Sequence, residues 1–190
     1  ELRHGGRLMA SVSIMVVDVR GFTAYSTGLP PKEVMQNLNT MLDTLVPIIF
    51  EYDGTIDKYT GDGILAVFGS PHPDPDHIRK AVDAGLAMQS AMTTLQVPFE
   101  IGIGIHSGEV VHGFLGSAER LEYTVIGDTV NKASRHCDGA RPGDVLVSEA
   151  IYTAIQPFVK AELETIPSKY PQREPDIDAY RIIGWRRRRK

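Results

Sequence analysis

Two aspartates stand where apolar runs end. Asp18 closes the run Met9–Val17 and precedes Val19-Arg20-Gly21-Phe22-Thr23. Asp62 sits in Gly61-Asp62-Gly63, between TIDKY and ILAVF. A lone aspartate of this kind reads most simply as a carboxylate capping a turn. The second changes that reading, because Gly-Asp-Gly between two strand-like runs marks a tight hairpin that projects its side chain. Two converging carboxylates without histidine or cysteine suit hard divalent cations such as Mg²⁺ or Mn²⁺, which keep oxygen ligands for a substrate phosphate. The stretch Gly21-Phe22-Thr23 can present backbone N–H groups to phosphate oxygens. The chain has no GxxxxGK[ST] loop, and Gly102, Gly104 and Gly108 in GIGIHSG lie within and after a strand rather than opening a helix, so a dinucleotide fold is unsupported.

A further pair, Asn131 and Arg135, is four residues apart and therefore shares one face of a helix. Taken alone, it is a solvated surface. Beside the aspartates it gains meaning, since a guanidinium stabilises charge on a transferring phosphorus and an amide can hold a ribose.

The elements that must position these residues follow from periodicity. Met9–Val17, Thr55–Lys58, Ile64–Phe68, Phe99–Ile105 and Asp144–Val147 read as strands. A helix is predicted from Pro31 to Tyr52, with Pro47 a candidate kink and Asp53-Gly54 its stop. A second runs from Asp76 to Leu95. A third runs from Asp128 to Cys137, with Asp128 as N-cap and Gly139 just past its end. The order strand, helix, strand, strand, helix, strand is the split, ferredoxin-like βαββαβ pattern. It predicts an α+β domain with additional C-terminal strands and short helices. In that sheet the first strand lies beside the hairpin, so Asp18 and Asp62 meet at one edge.

Composition agrees with one domain over 1–190, in which 1–7 reads as a linker remnant and 186–190 as a solvated basic tail. Of the 190 residues, 42% are apolar and 23% charged, which excludes disordered and fibrous classes. A net charge of −4 advertises neither nucleic acid nor an anionic membrane as partner. Cys137 is the one cysteine, which excludes a disulfide framework and fits a reducing, cytoplasmic setting. No stretch approaches the roughly 20 apolar residues of a membrane span, and no signal peptide is evident. The chain starts at Glu1, so a preceding part, soluble or membrane-anchored, is expected.

Val16–Thr23, Asp57–Gly63, Ile103–Gly108 and Tyr123–Arg135 together resemble the class III nucleotidyl cyclase catalytic domain, in order and spacing. The resemblance covers about residues 8 to 150 and matches the last forty or so poorly. It implies a head-to-tail homodimer with two shared active sites that convert ATP to 3′,5′-cyclic AMP and pyrophosphate in signal transduction. Asp18 and Asp62 would hold two Mg²⁺ or Mn²⁺, Lys58 and Thr124 would select the base, and Asn131 and Arg135 would orient the ribose and stabilise the transition state. Gly21, Phe22 and Thr23 would lie against the triphosphate, and Lys169 is the candidate for the family's late triphosphate lysine. Each site would draw metals from one chain and base, ribose and transition-state contacts from the other. No side-chain general base is evident.

Hydrogen-bonding capacity favours adenine. Lys58 can donate to adenine N1 but faces the N1–H of guanine badly, and the Thr124 hydroxyl can accept from the 6-amino group. The Lys–Thr pair resembles the class IIIb enzymes, among which bicarbonate response is an expectation. Guanylyl cyclase activity and a non-catalytic nucleotide-binding or dimerisation module are the alternatives. The six histidines show no metal-ligand spacing, Asp57 and Glu122 read as solvated or salt-bridged, and Met35, Met41, Met88 and Met92 read as packing.

Overall fold

From Val12 to Val19 apolar side chains occupy both parities of the strand pattern, broken only by Ser13 and Asp18. A strand so composed is covered on both faces. The computed structural model of the chain describes residues 6–117 and 119–186 and places this run at the centre of an eight-stranded sheet. Strand β1 (Gly6–Val19) pairs antiparallel with β3 (Ile64–Phe68) on one side and with β4 (Ile101–Gly116) on the other. The sheet order is β2-β3-β1-β4-β6-β8-β7, with β5 (Leu121–Ile126) paired to β4. Here β2 is Gly54–Tyr59, β6 Val145–Ser148, β7 Val159–Ile166 and β8 Ile177–Trp185.

Met15, Val17 and Val19 face α2 (Pro31–Glu51) and α3 (His77–Met92), whose Met41, Leu45, Ile49, Val82 and Met88 are buried in the larger core. Val12 and Ile14 face the opposite way, into a smaller core with Leu65, Val67, Val125 and Ala133 of α4 (Asp128–Gly139). Helix α2 starts at Pro31, runs through Pro47 and ends ahead of Asp53, which takes the left-handed conformation at φ 59°. Two short helices, α1 (Phe22–Ser26) and α5 (Glu149–Ile155), complete the domain, the latter capped by Ser148. The α+β architecture with extra C-terminal strands is as expected.

Several boundaries differ. Gly6 and Arg7 are not linker; they pair with Gly113 and His112 as the first residues of β1, because β4 runs well past Ile105 and offers them an edge. Helix α4 is capped by Gly127, which leaves Asp128 as its first residue, paired to Lys132 at 2.9 Å, and Gly139 as its last. At the other end, Trp185 donates to Asp83 at 2.6 Å and Arg186 donates to the Val159 carbonyl at 2.8 Å, so the basic tail begins pinned to the sheet. Residues 1–5 and 187–190 lie outside the described residues. Among the described residues no helix is long and apolar enough to cross a membrane.

Candidate active site

Asp18 and Asp62 do meet. Asp18 is the penultimate residue of β1, and the β2–β3 turn folds over its end, with Gly61 at φ 70° and the Thr60 N–H bonded to the Gly63 carbonyl. A Cβ on Gly63 would come within 2.2 Å of the Val17 carbonyl and 3.2 Å of Asp18 Oδ1, so only glycine lets the turn approach this closely. Burial raises the pKa of Asp18 to about 6, and the negative charge of Asp62 adds to the rise. Arg20, at 3.4 Å, pulls it back in part. Two carboxylates forced together with only one partial counter-charge fit a hard divalent cation, with phosphate oxygens completing its shell. Among the described residues no third His, Cys, Asp or Glu joins them in a metal-sized group. Gly21, Phe22 and Thr23 line the same concavity, with Gly21 left-handed at φ 69° and Phe22 and Thr23 already inside α1.

Lys58 and Thr124 are also brought together, around a residue that the sequence reading set aside. Asp57 is buried, its side chain 1% exposed, and accepts hydrogen bonds from the Thr124 hydroxyl at 2.7 Å and the Val125 N–H at 3.0 Å. The Lys58 ammonium lies 3.7 Å from Asp57 and 3.6 Å from Glu122. Asp57 is therefore not solvated, and Glu122 is a salt-bridged carboxylate. A β-bulge explains the grouping: register with β3 shifts between Ile56 and Lys58. The extra residue lets Asp57 and Lys58, neighbours in sequence, both reach β5. Thr124 is itself 1% exposed, so its hydroxyl is closed off in the isolated chain.

Asn131 and Arg135 share a face of α4 as predicted and line a cavity of about 770 Å³ between α4 and the β7–β8 loop. Lys169 lines it too but is bound to Asp138 at 2.6 Å. The loop engages Arg135, whose guanidinium donates to the Pro175 carbonyl and lies 3.7 Å from Glu174. This cavity and the concavity at Asp18 share no residue. What joins them is Arg20, which donates to the Cys137 and Ala140 carbonyls at the end of α4, at 3.1 and 3.2 Å, while touching Asp18. Gly102 makes room for Arg20, and Gly104 for α4 itself, since a Cβ there would lie 2.1 Å from the Cys137 nitrogen. Arg20 drew no role from the sequence; its place in the Asp18 motif was the available signal.

Three of the six histidines are held by hydrogen bonds. His77 bonds Ser11 and Ser13, His112 bonds Ser70 at 2.6 Å, and His136 bonds the Lys132 carbonyl at 2.7 Å. Burial holds all three below the usual imidazole pKa. Burial likewise pushes the Cys137 thiol up to about 12.

A family model described as the adenylate and guanylate cyclase catalytic domain matches residues 7–171. Adenylate cyclase 1 of Rhizobium meliloti is 34% identical over 95% of this chain and 29% of its own length. The adenylate cyclase of Anabaena cylindrica is 38% identical over 65% of this chain and 26% of its own length, so the chain spans under a third of these relatives. Among solved structures, the guanylyl cyclase Cya2 aligns at TM-score 0.86 and 34% identity, covering 97% of this chain and 96% of that one. The adenylyl cyclase CyaB of P. aeruginosa aligns at TM-score 0.85 and 27% identity, covering 98% and 100%.

Proposed function

We propose that this chain, which belongs to the adenylate and guanylate cyclase catalytic domain family, converts ATP to 3′,5′-cyclic AMP and pyrophosphate as a homodimer with two shared sites. The observation that carries the choice of ATP is the grouping of Lys58 with Thr124 around Asp57. An ammonium donates to adenine N1 and would oppose guanine N1–H, while a hydroxyl oxygen accepts from the adenine amino group. Leaving such groups mismatched costs roughly 1–3 kcal/mol each, or about fivefold to 150-fold in discrimination.

Asn131 would orient the ribose so that its 3′-oxygen lies in line with the α-phosphorus. Arg135 would offset the charge that grows on the α-phosphoryl oxygens, a contact worth more in the transition state than before it. Two Mg²⁺ or Mn²⁺ held by Asp18 and Asp62 would supply an acidified 3′-hydroxyl and neutralisation of the triphosphate. Gly21, Phe22 and Thr23 would back the triphosphate from the same concavity. Lys169 would reach it from the partner's α4 side once released from Asp138. No side chain is assigned as general base. By resemblance to the class IIIb enzymes, bicarbonate stimulation is part of this reading, and a nucleotide substrate fits a cytoplasmic domain.

Support for the dimer comes from a cross-strand row of exposed apolar side chains. Leu8, Val111 and Ile126 are register partners across β1, β4 and β5, and Leu115 extends the patch along the same face of β4. A patch of this kind marks an interface. One observation favours a second reading: Glu122, 3.6 Å from Lys58, is a carboxylate that can accept from guanine N1–H. Purified chain assayed with Mn²⁺ on ATP and on GTP decides. Cyclic AMP with little cyclic GMP, at a specific rate that rises with chain concentration, is the expected result. Predominant cyclic GMP would install the second reading, and no product from either nucleotide would refute both.

A further inference from the structure

We infer that Asp57 determines base specificity by dictating which way the Thr124 hydroxyl points, an inference that rests on the reading of Lys58 and Thr124 as the base-recognition pair. A threonine hydroxyl left to itself serves either purine, since it can accept from the adenine 6-amino group or rotate and donate to guanine O6. Here that freedom is gone. The hydroxyl hydrogen goes to Asp57 at 2.7 Å, and the other Asp57 oxygen takes the Val125 N–H at 3.0 Å, which locks the carboxylate in place. Because the Asp57 side chain is 1% exposed, water does not compete for either bond. What Thr124 has left for a base is lone pairs alone. Lys58, 3.7 Å from Asp57 and 3.6 Å from Glu122, makes no hydrogen bond to either and keeps its ammonium hydrogens for a base edge. Because Thr124 is 1% exposed, a base reaches its hydroxyl only where the neighbouring side chains give way. The pair then presents one donor and one acceptor, the complement of adenine N1 and its amino group.

The substitution Asp57→Asn inverts this polarity with almost no change of shape. The Val125 N–H still needs an acceptor and claims the amide oxygen, so the amide NH₂ faces Thr124 and donates to it. The hydroxyl hydrogen must then point outward, toward guanine O6. The ratio of kcat/KM for ATP over GTP is expected to fall at least tenfold, the effect of turning one hydrogen bond into a donor–donor clash. Wild-type chain is measured first: if it does not prefer ATP, the adenylyl reading fails and this inference with it. If wild type prefers ATP and folded Asp57→Asn, checked by thermal unfolding, keeps the wild-type ratio, the inference alone is overturned. Thr124→Val and Thr124→Ser provide a second route should Asp57→Asn not fold. The serine must keep the ratio and the valine must lose it, and a valine variant with unchanged ratio overturns the inference. Adding Asp57→Asn to Thr124→Val should leave the ratio where Thr124→Val put it; a further fall would mean that Asp57 acts by another path.

Discussion

Lys58 has hydrogens to give and no lone pair to receive one, and under the proposed reading that asymmetry separates the two purines. It also neutralises two carboxylates, Asp57 and Glu122, that would otherwise stand together near the base edge. Changing Lys58 to Glu therefore does two things at once. It removes the donor to adenine N1 and supplies an acceptor for guanine N1–H. Combined with Thr124→Cys, it should lower kcat/KM for ATP at least about thirtyfold and raise that for GTP, the sum of two mismatched groups at roughly 1–3 kcal/mol each. Steady-state kinetics on both nucleotides checks this, and an unmoved ratio would remove Lys58 from base recognition. Asp18, Asp62, Asn131 and Arg135 were legible in the sequence because their residue types and spacing belong to phosphate chemistry. Asp57 was not. Strand alternation places it on the face opposite Lys58, and only the bulge after Ile56 cancels that alternation.

Among the elements, β1, β2, β3, β4 and β6 were readable as strands, β2 although it lies at a sheet edge, and β5, β7 and β8 were not. Strands β1, β3 and β6 are buried over most or all of their length, so their sequences carry unbroken apolar runs. Strands β5 and β7 are largely exposed and β8 largely half-buried, with no clean alternation in any of them, which leaves no periodic signal. The unreadable margin is also what bears on Arg135. The β7–β8 loop offers it the Pro175 carbonyl and, at 3.7 Å, the Glu174 carboxylate, so a nucleotide must displace these contacts to reach the guanidinium. Glu174 is well exposed, and the ion pair is therefore a weak competitor, worth about 0.2–1 kcal/mol. Glu174→Gln should lower KM for ATP up to about fivefold, with kcat unchanged or slightly raised. A raised KM would show that Glu174 assists binding rather than competing with it.

At the scale of the whole molecule, the paired carboxylates and the Asn131–Arg135 face line concavities with no residue in common. Under the dimeric reading each chain lends Asp18 and Asp62 to one site and α4 to the other. Arg20, bonded to Asp18 and to the end of α4 together, then touches parts of both sites in the dimer. This arrangement has a consequence that a site formed within one chain cannot reproduce. Asp62→Ala chains keep a sound α4, and Arg135→Ala chains keep sound carboxylates, yet a homodimer of either has two defective sites. Each variant alone should retain no more than about a hundredth of wild-type activity. Mixed in equal amounts and allowed to exchange, half of the dimers become heterodimers. Each heterodimer has one site with both defects and one with none, so activity should recover to about one quarter of wild type at equal total chain. The recovered rate should depend on the mixing ratio with a maximum at equality. Absence of recovery, with exchange verified by mass-tagged chains, would mean that Asp62 and Arg135 act in the same chain or not at all.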